Sequence, residues 1–295
     1  MLHDVGHGPP LVLIPGIQGR WEYLRPAIDA LARSFRVLTF PLCGEPGSHL
    51  RLDPALGFDN DARQILAILD QRGIERAIVC GISFGGLPAL TFAASHPDRC
   101  HALIVASTPG PGLHLRAKHR VYARVPWLFG PLFLLESPLR LHREVAAAFP
   151  RLGARLRFAR WQLATLALAP VSTARMAARA ALIANTDIAP DCSTVTTPTL
   201  IVTGEAALDR VVSVQGTLAY LQRIAGAVHV TLERTGHLGS ITKPEAFARV
   251  VREFVERLGQ EGPFGRPATA DPAHGVNVVD GADLRCVLRA APGGK

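Results

Sequence analysis

Ala77-Ile78-Val79-Cys80-Gly81-Ile82-Ser83-Phe84-Gly85-Gly86 is the stretch on which the reading of the whole chain turns. The apolar run Ala77 to Cys80 has the character of a buried strand, and a helix is expected from about Gly86. Between them lies Gly-x-Ser-x-Gly. In such a tight turn a serine hydroxyl is held out at the tip, and the flanking glycines relieve the crowding. The plainer reading is a glycine-rich strand-to-helix turn that cradles a phosphate. A phosphate loop of the Gly-x-x-x-x-Gly-Lys type needs a lysine, and none lies nearby; a Gly-x-Gly-x-x-Gly fingerprint is also absent here. Ser83 is therefore read as a candidate nucleophile.

Outward from this turn, Pro10–Ile14, Phe35–Phe40, His101–Ala106, Thr199–Thr203 and Val228–Leu232 read as further buried strands. Helical spacing runs from Trp21 to about Arg33. It recurs from Asp59 to Arg72, with Ile65, Leu66, Ile68 and Leu69 on the inner side and Gly73 as the stop. A last amphipathic helix opens at Lys243-Pro244 and carries Phe247, Val250, Val251, Phe254 and Leu258. Strands that are apolar throughout and alternate with helices make a parallel sheet covered on both faces. Reactive residues in such sheets gather at the carboxyl ends of the strands.

Two further candidates fall at those ends. Asp209 follows the strand ending at Thr203, and His237 stands in Thr235-Gly236-His237-Leu238-Gly239 after the strand ending near Glu233. A serine hydroxyl is a poor nucleophile at neutral pH. It needs an imidazole to take its proton, and a carboxylate to hold that imidazole in the right tautomer. Ser83, Asp209, His237 is also the chain order that accompanies this kind of turn. Each residue has a rival reading. Glu205 is a second candidate for the acid, because the turn before Asp209 is long, and Asp209 can equally pair with Arg210 at the surface. His96 is expected to end a helix and His229 to be structural within its strand. Cys43 and Cys80 lie close to the predicted site in sequence, and neither has an evident base.

With these residues in place the chain resembles the α/β-hydrolase fold superfamily over about residues 8 to 258. The resemblance implies an α/β fold: a doubly wound, mostly parallel sheet with a helical cap inserted before the strand that precedes the catalytic acid. It divides the chain into core (1–108), helical cap (109–197), core again (198–259) and a C-terminal extension (260–295). Pro15-Gly16-Ile17 looks like the family's His-Gly oxyanion loop with proline in place of histidine. This implies the Ile17 and Phe84 N–H groups as oxyanion donors. The resemblance to dehalogenases and epoxide hydrolases stops at Ser83, where those enzymes require an aspartate.

The cap segment contains Val125-Pro126-Trp127-Leu128-Phe129-Gly130-Pro131-Leu132-Phe133-Leu134-Leu135. Its two prolines and short length exclude a membrane span. One reading makes it a lid over an apolar pocket, with Trp127, Phe129 and Phe133 touching substrate; the other packs these side chains onto the core or onto a second chain. The cap also collects basic residues, among them Arg116, Lys118, Arg140, Arg143, Arg175 and Arg179, opposite few acids, chiefly Glu136, Glu144 and Asp187. A solvated helix face explains them, and so does attraction of an anionic substrate, an acidic carrier protein or a membrane surface.

Composition narrows the function classes. A chain of 295 residues with 48% hydrophobic and 19% charged residues builds a sizeable core rather than a disordered segment. The net charge of +8 invites a nucleic-acid reading, but only three of the 32 basic residues are lysine and no nucleic-acid motif is present. That skew is one of composition. Five widely spaced cysteines form neither a disulfide framework nor a zinc pattern, so no metal or cofactor is expected, and the cytoplasm is the expected compartment. No run of about 18 apolar residues is present. Beyond Gln260, Pro and Gly pairs read as linker, and 276–288 suggests a small hairpin about Asp280-Gly281.

The expected function is a serine hydrolase that cleaves carboxylic esters of modest size through an acyl-enzyme, with a small-molecule ester or lactone as its partner. Other readings on the same machinery are a lactonase of the acyl-homoserine lactone type, a carbon–carbon bond hydrolase and an acyl-carrier-protein esterase. Outside enzymes, a ligand sensor on the same fold remains open.

Overall fold

The structure is a computed structural model that describes residues 1–48, 50–111, 117–186 and 189–260. The hairpin expected at 276–288 lies outside the described residues. Seven strands form one sheet: β1 His3–Val5, β2 Pro10–Ile14, β3 Arg36–Thr39, β4 Ala77–Ile82, β5 Cys100–Ala106, β6 Thr199–Thr203 and β7 Val228–Thr231, in the spatial order β1-β3-β2-β4-β5-β6-β7. All neighbours pair in parallel except β1, which runs antiparallel to β3. β1 is three half-buried residues, His-Asp-Val, with no apolar run to announce it.

The strands bury both faces, and their alternate residues sort into two cores. Val12, Ile14, Leu38, Val79, Leu103 and Ile201 face one way, against helices α2 (Asp59–Gln71) and α3 (Gly86–Ser95). Leu11, Leu13, Val37, Ile78, Ile104 and Val202 face the other, where α1 (Arg25–Leu31) packs. The expected helix from Trp21 is split: Trp21–Leu24 is a 3₁₀ turn, and α1 restarts with Pro26 near its N-terminus, where the missing N–H is tolerated. Gly73 ends the α2 segment at φ 62°, a left-handed conformation that favours glycine.

Between β5 and β6 the described chain is helical: α4 Ala117–Arg124, α5 Pro126–Leu135, α6 Ser137–Ala148, α7 Leu152–Leu168, α8 Thr173–Asn185 and α9 Ala189–Thr194. The remaining helices are α10 Val214–Leu218, α11 Gly239–Thr242 and α12 Pro244–Gln260; α12 lays Phe247, Val250, Val251 and Phe254 on the α1 side of the sheet.

β4 is the middle strand of seven, and β6 and β7 are neighbours. The loops that leave their carboxyl ends therefore start close together. That placement follows from parallel pairing alone.

Candidate active site

Ser83 follows β4 directly, with φ 55°, a left-handed conformation that is uncommon for a residue with a side chain. The chain reverses here with almost no room. A Cβ on Gly81 would stand 2.2 Å from Gly85 O, and one on Gly85 would stand 2.4 Å from Ile14 O. A Cβ on Gly86 would meet the Thr108 hydroxyl at 1.9 Å. Three glycines are thus required for three separate close approaches. The strand, the turn and α3 can then fold back on one another with the serine at the tip.

His237 Nε2 lies 3.0 Å from Ser83 Oγ. When the hydroxyl donates, Nε2 is the bare nitrogen, and the ring proton sits on Nδ1. Nδ1 is 3.4 Å from Asp209 Oδ2, with the ring 11% and the carboxylate 2% exposed. This distance is long, and Nδ1 has no aligned hydrogen-bond acceptor. It is a close polar contact that an imidazolium, once formed, would tighten into an ion pair. Asp209 is fixed by its other oxygen, Oδ1, which accepts the N–H groups of Val211 and Val212 at 2.9 Å each. Burial pushes the Asp209 carboxyl up. The His237 contact and these two N–H groups outweigh it and hold the carboxyl below its ordinary value.

The rival acid is engaged elsewhere. Glu205 Oε1 accepts the N–H of Arg234 at 2.6 Å. Its own N–H donates to Thr235 O at 2.8 Å. Glu205 therefore ties the two loops together, while Asp209 faces the imidazole. Glycines again decide the approach. A Cβ on Gly204 would be 2.4 Å from Gly236 O, and one on Gly236 would be 2.8 Å from Asp209 N.

The loop carrying Ile17 leans on the same turn. A Cβ on Gly16 would be 3.5 Å from Ser83 Cβ, and Gly19 N–H closes the loop on Gly16 O at 2.8 Å. Phe84 is buried and meets Phe58 edge-on at 5.8 Å. Ile17 and Phe84 pack against the same apolar cluster. From the other direction α8 reaches this loop. Arg179 is 1% exposed and donates to Ile17 O at 3.2 Å, to Cys43 O at 3.1 Å and to Glu45 Oε1 at 2.8 Å. Arg175 pairs with the same Glu45 oxygen at 3.0 Å. Two of the arginines counted as a solvated or substrate-seeking basic face thus share one acid from the core.

A residue whose place the sequence did not reveal stands behind His237. Glu144 on α6 is fully buried, and its Oε1 accepts the Leu238 N–H at 2.7 Å. Burial raises its pKa, the Gly236 and Leu238 N–H groups and the His237 charge lower it, and Asp209 raises it, with the net shift upward. Arg234 Nε donates to Ala147 O at 3.1 Å, a second tie from the same loop to α6. In sequence, Glu144 among arginines reads as an exposed pairing partner, and no local signal marks it as buried.

Of the aromatic residues expected to touch substrate, Trp127 is turned away. Trp127 is 78% exposed, because α5 turns it outward, and an indole so exposed lines no closed pocket. Phe129 is half-buried and stacks on Tyr122 at 5.3 Å. The side chain of Phe133 lies outside the described residues. Cys43 and Cys80 are buried, and burial pushes both thiols well up, away from nucleophilic use. Cys43 instead points its Sγ at Gln64 Oε1, 3.3 Å away. His229 lies 2.9 Å from the Thr203 hydroxyl with its pKa lowered to about 4 by burial, a neutral structural histidine. Among the described residues no His, Cys, Asp and Glu cluster could hold a metal ion.

Residues 9–244 match the family model for the alpha/beta hydrolase fold, and the chain belongs to that family. Its relatives include proteins named as hydrolases and esterases. It is 28% identical over 251 residues to a Pseudomonas syringae pv. syringae protein provisionally named the carbamate hydrolase RutD, covering 84% of this chain and 93% of that one. It is 29% identical over 263 residues to the pimeloyl-[acyl-carrier protein] methyl ester esterase of Aeromonas hydrophila, covering 85% and 96%. Among solved structures, the enol-lactonase of Burkholderia xenovorans LB400 superposes with a TM-score of 0.67 over 87% of this chain and 96% of its own. At 23% identity it speaks for the fold.

Proposed function

We propose that this hydrolase cleaves carboxylic esters through a covalent acyl-enzyme. The observation that carries the reading is the Ser83 hydroxyl in a left-handed turn, 3.0 Å from His237 Nε2 and with Asp209 on the far side of the ring. Ser83 Oγ attacks the ester carbonyl as its proton passes to His237 Nε2. The carbonyl oxygen becomes an oxyanion, held by the Ile17 and Phe84 N–H groups, each donor worth about 3 kcal/mol in the transition state. The tetrahedral adduct collapses, the carbon–oxygen bond to the alcohol breaks, and the leaving alkoxide takes the proton from His237. Water then gives a proton to His237 and attacks the acyl group. The second adduct collapses, its bond to Ser83 Oγ breaks as Oγ takes that proton back from His237, and the carboxylic acid is released. Asp209 stabilises the imidazolium in both halves. The helices between β5 and β6 serve as the cap of this site, joined to it through Arg179 and Glu144.

An ester is favoured because this machinery supplies a nucleophile, a base and an oxyanion site, which acyl transfer needs in that combination. The methyl ester esterase among the relatives supports the same class. The test is hydrolysis of p-nitrophenyl esters from acetate to dodecanoate, by wild type and Ser83→Ala, with fluorophosphonate labelling. Turnover and labelling at Ser83 by wild type alone are expected, with at least about a 10⁴-fold loss of kcat in the variant. Turnover by Ser83→Ala within tenfold of wild type would overturn the reading.

A further inference from the structure

α7 has an outer face that nothing among the described residues covers. The helix is anchored from within: Phe158 and Trp161 pack on the α1 and α12 side of the sheet, and Tyr23 Oη donates to Ala169 O just past its end. The opposite face carries Leu152, Leu156, Ala159, Leu163 and Leu166, all exposed, the leucines by 67, 62, 68 and 40%. Their spacing is four, three, four, three. At 3.6 residues per turn that puts all five within about 40° of one line along a helix about 25 Å long. A solvated helix face should be polar here. Further exposed apolar side chains, Trp127, Leu128, Leu135 and Leu139, lie on α5 and α6.

The flanks of the stripe are cationic. Arg151 and Arg160 are exposed on either side of it, and no acid occurs in the sequence between Glu144, which is buried, and Asp187. Apolar patches of this extent mark contact surfaces.

We infer that the outer face of α7 docks the protein on an anionic lipid surface. Three observations select that occupant. A second copy could zip along a four-three stripe, but the flanking positions would set arginine against arginine with no acid to match. A folded protein partner seats anchor side chains in pockets. Here the leucines protrude, and a fluid lipid surface accepts protruding apolar groups without a fitted cavity. Finally, a leucine line edged by arginines on one helix is the composition of an interfacial helix that lies in the headgroup layer. No single helix among the described residues is long and apolar enough to cross a membrane. α7 and α8 pass such a test only together, and they meet at 100°, with Arg179 of α8 held in the core.

The experiment is vesicle flotation of the full chain with phosphatidylcholine alone and with phosphatidylcholine containing phosphatidylglycerol. Wild type should float with the anionic vesicles, be released by about 0.5 M salt, and ignore the neutral ones. Arg151→Gln with Arg160→Gln should weaken partitioning about 30-fold, and Leu156→Gln with Leu163→Gln at least about tenfold. All four positions are exposed, so melting curves should match wild type and show that the fold is kept. No flotation of wild type with anionic vesicles would overturn the inference, as would flotation that neither double variant weakens. A wild-type dimer dispersed by Leu156→Gln with Leu163→Gln would assign the stripe to a second copy instead, and capture of an acidic protein without vesicle binding would assign it to that partner.

Discussion

At the scale of single residues, the division of labour between two nearby carboxylates is the sharpest feature of the site. Asp209 Oδ2 faces the His237 ring while Oδ1 is held by two backbone N–H groups, and Glu205 is spent on the Arg234 N–H. Asp209→Asn should therefore lower kcat by about 10⁴-fold, since an amide no longer holds the tautomer that leaves Nε2 bare. Glu205→Gln keeps an acceptor for Arg234 and should change kcat less than about threefold while lowering the melting temperature slightly, one charge-assisted hydrogen bond being exchanged for a neutral one. Steady-state kinetics on one ester decides between them, and equal losses in the two variants would refute the assignment. Gly236 belongs to the same scale. Its missing Cβ leaves room for Asp209 N at what would be 2.8 Å, so Gly236→Ala must push the acid loop off the histidine loop. A shift of about 1 Å at such a site costs about 100-fold in rate. The expected result is a kcat drop of that order with KM nearly unchanged.

At the scale of elements, the helices between β5 and β6 are bolted to the rest of the chain by buried polar contacts. α8 is held by Arg179 on Glu45, and α6 by Glu144 on the His237 loop. Removing one partner of a buried pair strands the other charge, whereas replacing both with apolar groups is far better tolerated. Arg179→Met leaves Glu45 with only the partly exposed Arg175 as partner and should destabilise the protein by about 3 kcal/mol; Arg179→Met with Glu45→Met, which lets Arg175 turn to solvent, should recover a large part of that. The pair already leaves Glu45 Oε2 and Arg179 Nε buried without partners, which makes the apolar replacement milder still. Urea melts of the single and double variants measure this; a double variant less stable than the single one would show that the ion pair itself holds α8 in place. Because Arg179 also holds Ile17 O, the single variant should lose kcat as well, through the loop that carries the proposed oxyanion donor.

At the scale of the whole molecule, buried titratable groups set how stability responds to pH. His229 is held down to about 4 from an ordinary 6.5 by burial. Between those values the unfolded chain binds the proton and the folded chain does not. The contribution is complete above about pH 6.5 and falls away toward pH 4, by about 3 kcal/mol in all. Asp209, lowered, acts in the same sense further down: its contribution is present above the ordinary 3.8 and is lost as pH falls through the folded value. Glu144 and Asp61 are raised by burial and act in the opposite sense, losing stability as pH rises past the ordinary carboxylate values. Chemical denaturation of wild type and His229→Gln at pH 7 and pH 5 separates these. The variant should show a flatter acid side, and an unchanged slope would remove His229 from the account.

Much of this protein was legible in the chain itself. Period and apolar content predict six of the seven strands, because a strand buried on both faces must be apolar throughout, and parallel pairing then sends the ends of β4, β6 and β7 to one edge. Gly81, Ser83 and Gly85 announce the turn because only glycine survives contacts that close. What needed the fold were the relations between loops distant in sequence. That Asp209 rather than Glu205 meets His237, that Arg179 is buried on Glu45, that Glu144 stands behind Leu238 and that Trp127 faces outward all depend on which surfaces meet. Residue type and spacing encode what a segment must bury. The partner it buries against is chosen by packing in three dimensions, and charged residues read alike in sequence whether they end in water or in an ion pair.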